Sequence, residues 1–246
     1  MTVTLDQARK VLSVVDAGLV CGVGEPIPGK MCVEAAVCYA LDLPHGDNPA
    51  CVAEPDRRYK IRLNDARWSS DAARAKGLRR LSVMQLGTAG MDRSEWRRIL
   101  VELTIRRVVP EALELAAARN PKHADALRAA AKRCAEEGTR EAAQKARIAA
   151  AASYAASYAA AAAAAADAAD AAAYAADAAD AAATAAATYA AADAADAADA
   201  ADAADAAAAA TYADRILTVS ARCAEEAYER TGSPGVALLR ELEAAM

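Results

Sequence analysis

The sequence has no Phe, only two Trp and two His, and no Gly or Pro between Gly138 and Gly232. Without Phe, and with so few Trp, a conventional aromatic core has to be small. The 56% hydrophobic content does not offset this, because Ala supplies much of it and buries little area per residue. Two His leave few partners for a reactive thiol or a metal ion. The absence of helix breakers makes continuous helix the default reading of the long interval before Gly232. No Lys or Arg occurs between Arg147 and Arg215, so that interval has no internal counter-charge. The N-terminus lacks the basic region, apolar run and small-residue site of a secretory signal, so a cytoplasmic location with its six Cys as reduced thiols is expected. The longest small-residue run is long enough to span a bilayer, but repeated Asp excludes that reading.

What is present is concentrated in the same interval. From Ala149 to Ala213 the chain contains only Ala, Asp, Ser, Thr and Tyr, and Asp193, Asp196, Asp199, Asp202 and Asp205 are separated by Ala pairs. Three residues turn a helix through about 300°, so each Asp lies about 60° behind the last and the acidic stripe winds around the cylinder. A heptad seam would keep one face dry; this spacing does not. Contacts made by such a helix have to be narrow, anchored by the few large side chains. Tyr154 and Tyr158, four residues apart, share a face and are candidate anchors, and the five Asp are candidate binding groups. Without folding back, the helix would reach roughly 130–140 Å. A helical spacer enlarged by repeat expansion is the bland alternative.

Charge divides along the same line. Residues 1–148 carry 25 Lys and Arg against 19 Asp and Glu, whereas residues 149–246 carry 4 against 15, giving nets of +6 and −11. An acidic second half facing a basic surface, or solvated on its own, accounts for the split. Most Val, Leu, Ile, Met and Trp lie before residue 120. The expected organisation is therefore all-α: an N-terminal helical domain over 1–138, a long Ala-rich helix or helical hairpin bundle over 139–231, and a docking helix over 232–246.

Local signals place the first-half elements. Thr4 with Gln7 predicts a capping box opening a helix that stops near Gly18, and the Gly- and Pro-rich run Gly22–Gly29 predicts a loop leading to a helix near Lys30. Pro44–Pro49 and Glu54–Pro55 read as irregular chain, and Tyr59–Asn64 as helix. Ser70 predicts a cap, Asp92 with Glu95 another helix start, and Pro110 a kink or restart. Asn120–Pro121 opens a further helix closing near Gly138, Thr139 opens the Ala-rich one, and Ser233–Pro234 begins the last. Arg74, Lys76, Arg79 and Arg80 form a basic face, joined by Arg97, Arg98, Arg106 and Arg107. No nucleic-acid motif accompanies them and the whole protein is acidic, so a solvated or counter-charged face is the expectation rather than nucleic-acid binding.

The best chemical candidate is Cys32. In a first helical turn, unpaired N–H groups and the helix dipole favour a thiolate, with Lys30 adding to the effect, and His45 is the candidate base. That pair would make a Cys32-dependent hydrolase or transferase. Glu34 in the same turn is favourable beside the dipole, or serves a site. Cys32, Cys38, His45 and Cys51 are suitable zinc ligands in type, but Cys32 and Cys38 are six residues apart and diverge on a helix, so no metal and no cofactor are expected.

The runs GKMCVEAAVCYALDLPHGDNPACV (Gly29–Val52), YKIRLNDARWSSDAARAKGLRRLSVMQLG (Tyr59–Gly87) and GTREAAQKAR (Gly138–Arg147) resemble a family of uncharacterised bacterial and phage-encoded proteins. Its members carry a GKMC-type N-terminal motif, an Ala-rich second half and a Pro-Gly pair near the end, matched here by Pro234 and Gly235. The resemblance implies no activity. Ala-rich type I antifreeze proteins are similar in composition alone: Thr184, Thr188 and Thr211 do not follow the roughly eleven-residue spacing that returns Thr to one face. The leading expectation is a non-enzymatic scaffold or binding protein whose acidic Ala-rich helix self-associates or meets a basic protein surface. The Cys32 enzyme is the alternative and ice binding a minor one.

Overall fold

The computed structural model describes residues 2–119, 121–156 and 203–245. They are mostly helical, with no strand among them. In chain order the helices are α1 (Leu5–Asp16), α2 (Val33–Ala40), α3 (Glu54–Asp65), α4 (Asp71–Met84), α5 (Ser94–Leu103), α6 (Val109–Arg119), α7 (Ala124–Glu137), α8 (Arg140–Ala156), α9 (Ala203–Arg230) and α10 (Pro234–Ala244). A π-helical turn, Thr104–Val108, joins α5 to α6. Tyr158, Asp193, Asp196, Asp199 and Asp202 lie outside the described residues, and Tyr154 and Asp205 are placed only as backbone in α8 and α9.

The chain divides into two compact units. The first comprises Met1–Asp65, Ser70–Arg97 and Ala224–Met246; the second comprises Ala66–Ser69 and Arg98–Cys223. These units do not coincide with the expected division at residues 138 and 231, because the chain beyond Ala224 belongs with the N-terminal helices.

In the first unit α1 packs on α2, α4 and α10, and α3 packs on α2 and α4. Thr4 caps α1 as a reciprocal box with Gln7, and Val11, Leu12, Val14 and Val15 turn inward. The chain then runs through a tight loop closed by an antiparallel bridge between Gly24 and Met31. Gly24 sits at φ +72, and a Cβ there would lie 2.0 Å from the Lys30 carbonyl oxygen, so only Gly permits the turn. Helix α3 starts at Glu54, earlier than expected. Pro55 falls in its first turn, where a missing N–H leaves no hydrogen bond unmade, so Glu54–Pro55 opens the helix instead of prolonging the loop.

Ser70 caps α4 by accepting from Ala73 N–H. Arg74, buried in α4, donates from Nε to the Asn64 carbonyl at 2.7 Å, which satisfies a C-terminal carbonyl of α3. Arg79 grips Asp16 at the end of α1 through two bonds of 2.6 and 2.9 Å. Arg80 binds Glu225 at 2.9 Å and also Glu243. Three of the four cations expected on the basic face of α4, Arg74, Arg79 and Arg80, are thus paired with carboxylates of the same unit. The last helix docks on its own unit, against α1 and α4. Its approach depends on Gly235, where a Cβ would stand 2.1 Å from the Val83 carbonyl oxygen and 2.8 Å from Met84.

In the second unit α7 packs on α6 and α8. Gly138 ends α7 in the left-handed conformation, φ +64, and donates to Cys134 O. Arg106 reaches the same helix end, donating to the carbonyls of Ala135, Glu136 and Glu137 at 2.7–3.0 Å, where a cation complements the helix dipole. Thr139 accepts from Ala142 N–H and opens α8, as its position suggested. Ala142, Ala143, Ala146 and Ala150 form the buried face of α8, so small side chains serve as core here. Beyond the repeat, Asp214 of α9 accepts from Ser69 N–H at 2.8 Å and also from the Ser69 hydroxyl.

Candidate functional site

The chemistry-bearing side chains of the first unit converge on the inner face of α3. Its buried residues are Asp56, Tyr59, Lys60, Leu63 and Asn64. They occupy helical positions i, i+3, i+4, i+7 and i+8, which is the stripe that ordinarily carries apolar residues. Here three of the five are polar. Lys60 is fully buried and its Nζ donates to Glu34 Oε1 at 2.6 Å. Arg93, also buried, donates from Nε to Asp56 Oδ1 at 2.9 Å and from Nη1 to the Ser233 hydroxyl at 3.3 Å. Its guanidinium lies over two rings, 5.1 Å from the centroid of Trp96 and 5.4 Å from that of Tyr228, a cation–π arrangement. Tyr59 meets Trp96 edge-on, with centroids 6.1 Å apart.

Two carboxylates and two cations therefore sit in the core of one small unit, at zero net charge. Burial raises the Glu34 carboxyl, with Lys60 pulling it back, and burial lowers the Lys60 ammonium, with Glu34 opposing. Burial likewise raises Asp56 against the pull of Arg93. The Tyr228 phenol is pushed well above its ordinary value by burial first and by the Asp56 charge second. Asn64 completes the set: its Oδ1 accepts from Val33 N–H at 3.1 Å, satisfying an open donor at the start of α2, while its Nδ2 donates to Val20 O at 2.9 Å.

Cys32 is next to this cluster but does another job. It is the N-cap of α2, its Sγ accepting from Ala35 N–H at 3.3 Å. The dipole argument for a thiolate fails at this position. Cys32 is 3% exposed, and desolvation outweighs the backbone donors, so the thiol is pushed up to about 11. Lys30 pairs with Glu25, and His45 Nε2 donates to the Gly24 carbonyl at 3.0 Å. This geometry does not favour the expected Cys32–His45 nucleophile: His45 Nε2 is engaged with the Gly24 carbonyl, and burial raises the thiol.

Three other thiols behave alike. Burial pushes Cys38 up to about 12 and Cys134 to about 11, and it raises Cys51; Cys21 alone is exposed. Among the described residues no group of three His, Cys, Asp or Glu side chains could hold a metal ion. Alkylation of the native protein is therefore expected to label Cys21 first, with Cys32 slower by at least an order of magnitude. Between pH 7 and 10 the Cys32 rate should keep rising without a plateau, as mass spectrometry of timed aliquots would show. A plateau near neutral pH would reinstate the nucleophile.

Sequence reasoning misses Asp56, Lys60, Arg93 and Tyr228, and takes Glu34 for a dipole partner. The signal that could have found them lies in Tyr59 and Leu63, four residues apart. If that pair fixes the inward face of α3, then Asp56, Lys60 and Asn64 follow as core. No described helix is long and apolar enough to cross a membrane. No protein-family model, curated protein or solved structure matches the chain.

Proposed function

We propose that the protein is a non-enzymatic binding protein whose helical units present the acidic Ala-rich segment to a basic surface of another molecule. The supporting observation is where the cations of the first unit go. Arg74, Arg79, Arg80, Lys60 and Arg93 are each matched by a carboxylate of that same unit. They are not available as a counter-surface for the nine Asp between Ala149 and Ala213, which have no Lys or Arg among them. A basic partner would answer that charge. The sealed ion pairs and the protonated, capping Cys32 favour binding over catalysis, since no titratable group of the cluster meets solvent.

Replacing Asp193, Asp196, Asp199, Asp202 and Asp205 by Ser tests the reading. Titration of the intact chain with a Lys-rich model protein at ~50 mM salt should give binding that weakens as salt rises. The five-Ser variant should bind at least ten-fold more weakly with its thermal unfolding unchanged. Equal binding by both chains would defeat the charge-based reading. Size-exclusion chromatography with in-line mass determination on the same two samples separates self-association from capture of a basic partner.

A further inference from the structure

We propose that the first unit encloses ordered water bound between its two ion pairs, as a built-in part of its core. Each pair uses only one oxygen of its carboxylate. Glu34 Oε2 and Asp56 Oδ2, both fully buried, have no hydrogen-bond partner within the protein, and the same holds for Gln85 Oε1, Arg93 Nη2, Trp96 Nε1 and Tyr228 OH. Six unpartnered polar atoms in one core exceed what native interiors ordinarily tolerate. Nearby groups fill the gap only in part: Gln85 approaches Glu34 closely enough to pull its carboxyl down, at a geometry short of a full hydrogen bond. Thr88 Oγ1 faces Asp56 but spends its proton on the Gln85 carbonyl at 2.8 Å and its lone pair on Ala53 N–H at 3.0 Å. Tyr228 approaches Asp56 closely enough for the charge and a hydrogen-bonding contact to raise its phenol, at a geometry short of a full hydrogen bond.

The chemistry of the six atoms defines the occupant. Glu34 Oε2, Asp56 Oδ2 and Gln85 Oε1 accept; Arg93 Nη2 and Trp96 Nε1 donate; Tyr228 OH does either. An occupant that serves these atoms has to both donate and accept. It has to be uncharged, because Glu34 and Asp56 already balance Lys60 and Arg93. Water meets these conditions, and buried waters ordinarily make two to four bonds to such otherwise unsatisfied groups.

The test is a crystal structure of the intact chain at a resolution that shows ordered solvent, joined to the stability of Tyr228→Phe. The expected result is at least one solvent peak within about 3.2 Å of both Asp56 Oδ2 and Arg93 Nη2. The Phe variant should lower the folding equilibrium constant roughly three- to ten-fold, since it removes a satisfied hydroxyl. Direct closure of Asp56 Oδ2 on Arg93 Nη2 and on the Tyr228 hydroxyl, with no solvent between them, would overturn the proposal. So would a Phe variant as stable as the parent or more so, because deleting a truly unpartnered hydroxyl costs nothing.

Discussion

Replacing Lys60 by Met is expected to cost about 3–5 kcal/mol of folding stability, read as a shift in the urea midpoint, because it leaves Glu34 charged or protonated without its ionic partner in the core. Lys60 and Glu34 both have zero side-chain exposure, so no rearrangement at the surface can relieve the loss. The paired variant Lys60→Met with Glu34→Leu should recover most of it, since two apolar side chains avoid the desolvation of two ions. Recovery in the double variant separates the cost of an orphaned charge from a simple packing defect, which would add instead of cancel.

The same variants carry a pH signature. Glu34 is raised in the folded state, so its contribution favours folding below its unfolded pKa and is lost as pH rises through the folded one. Lys60 is lowered, so its penalty for folding is present at low pH and is relieved as pH rises through its folded pKa towards its ordinary value. The double variant should therefore show a flatter stability profile than the parent at both the acid and the alkaline end. Parallel profiles would mean that the pair does not titrate with folding.

The second large effect is expected at Gly235. A methyl group there would have to occupy space 2.1 Å from the Val83 carbonyl oxygen, a backbone atom that cannot rotate away. Gly235→Ala should cost about 3 kcal/mol by forcing α10 off α4, more than overpacking against a flexible side chain does. Gly46 provides the control, because a methyl group added there would meet nothing within 4 Å and its φ is not positive. Gly46→Ala should leave the denaturation midpoint nearly unchanged. Comparable losses at both positions would show that helix-to-helix approach is not the cause.

Much of the first half can be read from its residues because the relevant forces are local. A side chain that caps a helix acts within four residues, and Thr4, Ser70 and Thr139 do what their positions suggest. Gly138 ends α7 for an equally local reason, its left-handed φ. The buried cluster follows from no local rule. Asp56 and Lys60 look like solvent-facing residues until Arg93 from the loop before α5 and Glu34 from α2 arrive to pair with them, and the pairing depends on tertiary placement. Cys32 shows the converse. Its local setting at a helix start argues for a thiolate, and burial by distant residues reverses the sign. At the π-turn Thr104–Val108 the residues predict only a kink or restart at Pro110. A ring without an N–H there disturbs the regular bonding of the preceding turn, but which wider form results depends on packing.

The discontinuity of the first unit bears on how the chain is made. Its inner wall at Trp96 and Arg93 is finished by Tyr228 and Ser233, which the ribosome delivers after the whole stretch Arg98–Cys223. At ~5–20 residues per second that interval lasts roughly 6–25 s. During it, α1 to α4 wait with an apolar and charged face uncovered, exposed to chaperones and proteases. Lengthening the Ala-Asp triplets adds to the wait in proportion to the residues inserted. Growth of the repeat therefore lengthens the time that the N-terminal helices spend without their last wall.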